Sequence, residues 1–330
     1  MVPFIDTPYG EEAAQIEYEI VTSENIKPLP VYNYHGDDTM FLSMWDKFDA
    51  EYALIKGPDF QLLVPKNDKE KVRNLKDYRS LDELIEHYIE LFGYYNQIAG
   101  FDNSSKENQN GVNRFFFKAD KNGRGGAYYS SEWAANSYST VECWLTEDSW
   151  KVLHEIGHGY QAGFDGVGMY TGEISNNLFG VQYEYNILFG KEADKKGGLF
   201  EGKKDTVERS MYEHMIYEKR TYAEAKANEK LILLAMLKQK AGDEAFAKMY
   251  QEYRKIANQS DFVREDHTLP DLMNRIYSEN SQLDFSGVLE KWGLTLDQVQ
   301  VQKNREHGYP AVASLADVVP ESELARAREL

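Results

Sequence analysis

The chain has 330 residues, 42% of them hydrophobic, and a formal net charge of −18. That length supports one large or two closely associated domains with a buried core, and the apolar content argues against disorder. The negative balance argues against nucleic acid and anionic membrane as partners, and no apolar run approaches the length of a membrane span. The single Cys143 excludes an internal disulfide, reads as a small buried apolar residue, and leaves the compartment open.

The N-terminus, MVPFIDTPYGEE, lacks the basic and apolar regions of a signal peptide and begins as if cut from a longer chain. Residues 1–36 are rich in Pro and Tyr and read as a strand with irregular packing. Asp37 or Asp38 is expected to cap a helix running through MFLSMWDKFDAEYAL (40–54). DFQLLVP (59–65) reads as a buried strand stopped by Pro65. LDELIEHYIELFGYYNQIAG (81–100) is an amphipathic helix with Leu81, Leu84, Ile85, Tyr88 and Phe92 at helical spacing. His87 falls off that stripe and is placed at the surface. A polar loop then leads to a strand in VNRFFFKAD (112–120). The next segment carries Gly125-Gly126-Ala127-Tyr128-Tyr129, a Gly-containing hairpin whose small residues let another backbone approach. Trp133 and Tyr138 beside it are either core aromatics or surfaces for stacking on a sugar.

TEDSWKVLHEIGHGYQAG (146–163) is the most informative stretch. It reads as one helix, with Thr146 as N-cap, Glu147 and Asp148 at the positive end and Gly163 as the stop. His154-Glu155-Ile156-Gly157-His158 is an H-E-x-x-H pattern. Residues four apart stack on one helix face, so both imidazoles reach a single metal ion. Glu155 stands one step round, where a carboxylate meets a water on that metal without being a ligand. Trp150, His154, Gly157, His158 and Gln161 share this face, while Val152, Ile156 and Tyr160 share another. Gly157 and Gly159, read as interior, each cost roughly 1 kcal/mol against Ala, so a backbone or substrate is expected to come close there. The competing reading is a core helix whose histidines fall four apart by accident.

A catalytic zinc takes three protein ligands and leaves a position for water. An H-x-x-G-x-x-H continuation is excluded, because Gln161 and Phe164 occupy its last two places, and Asp165 is off by one residue for an Asp variant. Glu173, in GEISNNLFGVQYEY (172–185), is the better candidate. The intervening stretch lets one helix end, a turn with Gly163, Gly166 and Gly168 reverse the chain, and a second helix return alongside. Ile174, Leu178, Val181 and Tyr185 form the apolar stripe of that helix. Asn177, four residues after Glu173, is placed to hydrogen-bond the far nitrogen of a metal-bound histidine. Glu184, on the same face, is the alternative ligand.

Beyond residue 186 the pattern is almost wholly helical, with segments beginning near Val207, Glu229, Asp243, Leu269 and Phe285 and punctuated by Gly242, Pro270 and Gly293. His214 and Tyr217 are read as sharing a helix face and as possible supports for an oxyanion. His267 and His307 sit in loops. The expected division is a 1–145 α/β subdomain, a 146–305 helical subdomain with both metal-binding helices, and a 306–330 linker or start of a further domain.

HEIGHGYQ followed by GEISNNLF resembles the enhancin-like gluzincin metallopeptidases, the viral enhancins and their bacterial mucin-degrading relatives. The likeness is most specific over 124–186 and extends loosely from TPYG to the WGL near residue 294. It implies an α+β, zincin-type fold, with a small mixed N-terminal subdomain and a mainly helical C-terminal one. By the same resemblance His154, His158 and Glu173 bind Zn2+ and Glu155 is the general base. In peptidases of this design an edge strand before the first His pairs with the substrate backbone, which assigns Gly125, Gly126, Ala127 and Tyr128 to substrate binding. The chain has no G-A-M-E-N segment for gripping a free N-terminus, so an endopeptidase is expected. The implied substrate is a mucin or another O-glycosylated protein, and the implied location is extracellular. The alternative is a non-catalytic glycan- or mucin-binding module that keeps the metal scaffold, against which the intact Glu155 argues.

Overall fold

A computed structural model describes residue 17 and residues 26–110, 115–131, 133–161 and 167–312. TPYG, the turn residues Gly163 and Gly166, and the C-terminal segment from residue 313 lie outside the described residues. The chain divides into two compact units, one of residues 1–89 and 113–147, the other of residues 90–112 and 148–330.

Among the described residues, the first unit is built on a six-stranded mixed sheet. Its strands are β1 (Val31–Asn33), β2 (Tyr52–Lys56), β3 (Phe60–Pro65), β4 (Phe115–Ala119), β5 (Ala127–Ser130) and β6 (Trp133–Asn136), in the order β1-β2-β3-β4-β6-β5. β2 and β3 form an antiparallel hairpin, β4 and β6 run parallel, and β5 folds back antiparallel to β6 as the outermost strand. Helix α1 (Asp38–Phe48) starts on an Asp37 side chain that accepts from the Met40 amide at 2.9 Å. It does not run to Leu54 as its residue types predict. Asp49 closes it in the left-handed conformation (φ 47°), and residues 52–56 enter the sheet instead. Burial of Ala53, Leu54 and Ile55 against their sheet neighbours outweighs the intrinsic helix propensity of Ala and Leu, which is only a fraction of a kcal/mol per residue.

After the short α2 (Lys69–Arg73) comes α3 (Leu81–Ile98), whose residues from Glu90 onward belong to the second unit. Its apolar stripe packs as the spacing predicts, with Leu84, Ile85 and Tyr88 buried. His87 is a correction. It is buried, with its ring centroid 5.7 Å from that of Tyr78 and 5.4 Å from that of Tyr88, and burial pushes its pKa down to about 4. The turn before α3 lays Tyr78 over a helix face that solvent would otherwise cover. Phe117 stacks on Trp144 at 4.5 Å and 12° to close the core of this unit.

The second unit is helical. It contains α4 (Trp150–His158), α5 (Gly172–Tyr183), α6 (Ala193–Lys196), α7 (Lys204–Met211), α8 (Ala227–Ala241), α9 (Asp243–Ala257), α10 (Leu269–Ser281), α11 (Ser286–Lys291) and α12 (Gln298–Glu306). Phe179 of α5 is wrapped by Tyr95, Tyr160, Phe246 and Tyr250, with ring centroids 5.3–6.0 Å away. α8 is apolar on all sides through Leu231, Ile232, Leu233 and Leu234, as suits a helix at the centre of a bundle. α12 has no apolar stripe in QVQVQKNRE. It docks instead through Asn304, fully buried, whose amide donates to Asn274 Oδ1 and Ser278 Oγ, each at 3.1 Å. No described helix is long and apolar enough to cross a membrane.

Candidate metal centre

α4 is shorter than its sequence suggests. The Thr146 hydroxyl donates back to the Glu142 carbonyl at 3.1 Å, so it is no cap, and the helix begins after Ser149. It ends at His158, which makes Gly159 its C-cap and not an interior residue. Gly157 remains interior, and its bare backbone has a visible use. A Cβ there would lie 3.0 Å from the carbonyl carbon of Asn176 and closer still to its oxygen. On the facing helix a Cβ at Gly180 would meet the Cβ of Leu153 at 3.1 Å. These two glycines let α4 and α5 approach closely. Asn176, fully buried, donates across the contact to the His154 carbonyl at 3.1 Å.

That approach brings three ligand-type atoms together. His154 Nε2 and His158 Nε2 are 3.2 Å apart, and Glu173 Oε2 lies 3.1 Å from the first and 3.3 Å from the second. Bonds of about 2.0–2.1 Å at tetrahedral angles require ligand separations of roughly 3.3–3.4 Å, so the triangle has the size for one zinc-like ion. Glu173 departs from helical geometry (φ −84°, ψ 18°) at the start of α5, and this turns its carboxylate toward the rings. Among the described residues no other group of three His, Cys, Asp or Glu side chains is placed to hold a metal.

Both rings are oriented from behind. His154 Nδ1–H donates to Asn177 Oδ1 at 2.8 Å, and the Asn177 amide donates to the Glu173 carbonyl at 2.9 Å. His158 Nδ1–H donates to Gln161 Oε1 at 2.6 Å, while Gln161 Nε2 donates to Ser175 Oγ at 2.8 Å and to the Gly172 carbonyl. An amide oxygen only accepts, so each ring carries its proton on Nδ1 and turns the Nε2 lone pair to the cluster. Sequence reading noted Gln161 on the histidine face but missed this hydrogen bond. Its signal was an amide three residues after His158. Burial lowers the His154 pKa, which favours the neutral, metal-binding imidazole. Glu155 is 5% exposed, is not one of the three converging residues, and has its pKa pushed up to about 7, chiefly by burial.

A family model described as peptidase M60, enhancin and enhancin-like, matches residues 28–276. The chain belongs to that family. The match ends short of both TPYG and the Trp292-Gly293-Leu294 segment. The viral-enhancing factor of Heliothis armigera granulosis virus is 29% identical over 210 residues, 62% of this chain and 23% of that protein. The chain therefore spans well under half the length of the curated relatives it matches. A functionally unknown conserved protein from Bacillus anthracis str. Ames has a TM-score of 0.70 at 17% identity, covering 89% of this chain and 59% of that one. The M60 catalytic domain of Clostridium perfringens ZmpC, solved in complex with the sialyl T antigen, has a TM-score of 0.66 at 16% identity, covering 89% and 59%. These likenesses establish the α+β fold of the M60 catalytic domains for this chain.

The remaining site candidates of this M60 chain are placed as follows. Glu184 is not at the cluster. Its carboxylate is buried, accepts from the Gly198 amide at 2.8 Å, and has its pKa pushed up to about 7, chiefly by burial. β5, which contains Ala127 and Tyr128, is an edge strand among the described residues, and Gly125 before it has φ 64°. The Tyr128 phenol donates to Asp120, and its ring meets Trp133 edge-on at 5.3 Å. Lys118 Nζ sits 4.1 Å over the Trp133 ring, while Tyr138 is exposed.

His214 and Tyr217 do not share a face. They lie on a π-helical turn, Tyr212–Tyr217, closed by the Glu218 amide on the Glu213 carbonyl at 2.8 Å, so three residues no longer complete a turn. Tyr217 is 73% exposed, whereas the His214 side chain is 13% exposed and pairs through Nδ1 with Glu229. Glu229, fully buried in the first turn of α8, also accepts from the Lys226 amide at 2.8 Å. α5 and α8 pack side by side. Leu178 and Leu234 line one small cavity, and Lys238 donates to Gln182 Oε1 at 2.7 Å. Both pairs keep the same offset in sequence, so the helices run parallel and Glu229 stands level with Glu173.

Two expectations follow for this region. Gly157→Ala should lower stability by about 1–3 kcal/mol, despite alanine's better helix propensity, and weaken divalent-ion binding at the cluster. Thermal unfolding and a metal titration read both effects. Glu184 holds its proton more tightly folded than unfolded, so its contribution to stability falls as pH rises from about 4.5 to 7. Glu184→Gln keeps the Gly198 acceptor and should raise stability by roughly 1–3 kcal/mol at pH 8, with little change at pH 4.5. Denaturant titrations at the two pH values measure the difference.

Proposed function

We propose that the chain is the catalytic unit of a zinc-dependent endopeptidase acting on mucin-type or other O-glycosylated proteins. The observation that carries this reading is the convergence of His154 Nε2, His158 Nε2 and Glu173 Oε2 at 3.1–3.3 Å, beside a buried Glu155 left out of the triangle. His154, His158 and Glu173 would hold the ion, with Asn177 and Gln161 fixing the rings. When bound, zinc supplies Lewis acidity and brings the pKa of a water molecule toward about 7. Glu155 accepts the proton of the attacking water on a carboxylate oxygen and delivers it to the leaving amine. Its burial keeps bulk water from competing for that proton, and a neighbouring cation would draw its pKa back toward the ionised form.

Gly125, Gly126, Ala127 and Tyr128, at and just before the start of β5, are assigned to main-chain pairing with an extended peptide. The glycan reading is supported by family membership and by the sialyl T antigen in the similar Clostridium domain. It places the enzyme's work outside the cell. The rival reading, a glycan-binding module without activity, gives no use for a buried carboxylate beside the ligand triangle.

The test pairs a mucin with its deglycosylated form, each with and without chelator, and sequences the fragments. Chelator-sensitive cleavage of the glycosylated form is the expected result, and binding without cleavage would favour the module. Glu155→Gln should retain zinc while losing about 10²–10⁴-fold in turnover. Glu173→Gln should weaken zinc binding, and Glu184→Gln should not.

We assign to His214, oriented by Glu229, the support of the developing oxyanion. Its level with Glu173 favours it over the solvent-exposed Tyr217. His214→Ala is expected to lower kcat by about 10²–10³-fold with zinc affinity and KM little changed, and Tyr217→Phe to leave kcat near its starting value. Steady-state kinetics with a zinc titration on each variant separates the two residues.

A further inference from the structure

Beyond the metal cluster, the C-terminal half of α5 encloses with α7 and α8 a cavity of about 540 Å3. Val181 on its wall is eight residues past Glu173, roughly 12 Å along the helix, so the cavity is separate from the ligand triangle. Its volume falls in the range of small-molecule sites. Val181, Leu199, Ile232 and Met236 form an apolar part of its wall, beside polar side chains that include Gln182, Asn186 and Gln239.

Five charged side chains also border it, and four of them neutralise one another. Lys204 Nζ lies 2.9 Å from Asp194, and Lys238 pairs with Asp243 while donating to Gln182. The fifth is Glu208, only 9% exposed, whose carboxylate has no hydrogen-bond partner among the described residues. One turn further on, the buried Tyr212 phenol also lacks a partner. Three carboxylates against two lysines leave the lining net negative, and Glu208 has only the longer-range attraction of Lys204, which is hydrogen-bonded to Asp194. A largely buried side chain whose carboxylate has no hydrogen-bond donor is one that a bound cation can satisfy.

The lining selects among occupants. An anion meets the unpaired negative charge. An ammonium group on an aliphatic stem places the cation on the Glu208 carboxylate and the methylenes on the apolar part of the wall.

We propose that this cavity binds a primary ammonium group carried on an aliphatic stem, with Glu208 as its counter-ion. The same chemistry arrives on a small free amine or on a lysine side chain of a bound peptide. The assignment stands independently of the zinc reading.

Calorimetric titration of the whole chain with n-butylammonium, with n-butanol as the neutral control and with a Gly-Lys-Gly peptide, tests it. Saturable binding of the amine and not of the alcohol is expected. Glu208→Gln should weaken the amine by about tenfold or more, while raising the melting temperature of the ligand-free chain by removing an unpaired buried charge. Ala235→Phe, which fills the cavity from its wall, should abolish binding in a chain that still unfolds cooperatively. Displacement of butylammonium by the peptide identifies a side-chain site, and failure of the peptide to displace it identifies a small-amine site. Equal binding of amine and alcohol, undiminished amine binding by Glu208→Gln, or no saturable amine binding at all would overturn the proposal.

Discussion

The arrangement of the metal centre depends on how closely α4 and α5 approach at Gly157 and Asn176. A side chain at residue 157 would collide with the Asn176 backbone. Without that approach, the Glu173 carboxylate would stand a side chain's width too far from two rings fixed on the other helix. The polar contacts around it serve the same spacing. Asn176 ties α5 to the His154 carbonyl, and Gln161 ties the end of α4 to Ser175 and Gly172. Behind α4, Tyr95 donates to the Leu153 carbonyl at 3.1 Å, and Tyr160 donates to Asn96 at 2.8 Å. The ligand triangle is therefore held by backbone-to-backbone proximity and by buried amides, which a protein keeps rigid more readily than long exposed side chains.

The same geometry divides the four acidic and imidazole groups by their surroundings. Three have atoms at the triangle, where opposing lone pairs call for a cation. Glu155 comes from the same helix as both histidines but lies one position round, and burial raises its pKa. One short stretch of helix thus supplies two groups suited to holding a metal and one suited to carrying a proton. Glu184 has a similar upward shift for a similar reason, yet its one backbone donor and its distance along α5 give it a packing role. A raised pKa alone does not mark function. Position relative to the cluster separates the two carboxylates.

What the sequence revealed follows from what periodicity can carry. The stripes of α3 and α5 and the spacing of His154 and His158 are local properties of one helix, and local spacing is what residue patterns encode. A helix is expected through Leu54 because Ala and Leu are good helix formers, whereas pairing with β1 and β3 makes residues 52–56 a strand. His87 was misplaced because a tyrosine from a preceding turn covers its face, which no helical wheel shows. α12 was missed because it docks through Asn304 and not through an apolar stripe. His214 and Tyr217 were wrongly joined because a π-helical turn changes the residues per turn. Gln161, a polar residue after the last ligand-type histidine, carried a signal that only its hydrogen bond to His158 makes specific.

The central claim is that one ion sits among His154, His158 and Glu173. X-ray absorption at the zinc edge, combined with an anomalous-difference map of zinc-loaded crystals, tests it directly. The account predicts one ion at about 2.0–2.1 Å from the Nε2 atoms of both histidines and from a Glu173 oxygen. An ion bound through Nδ1, an ion closed by another acidic residue in place of Glu173, or a cluster that stays empty in saturating zinc would contradict it.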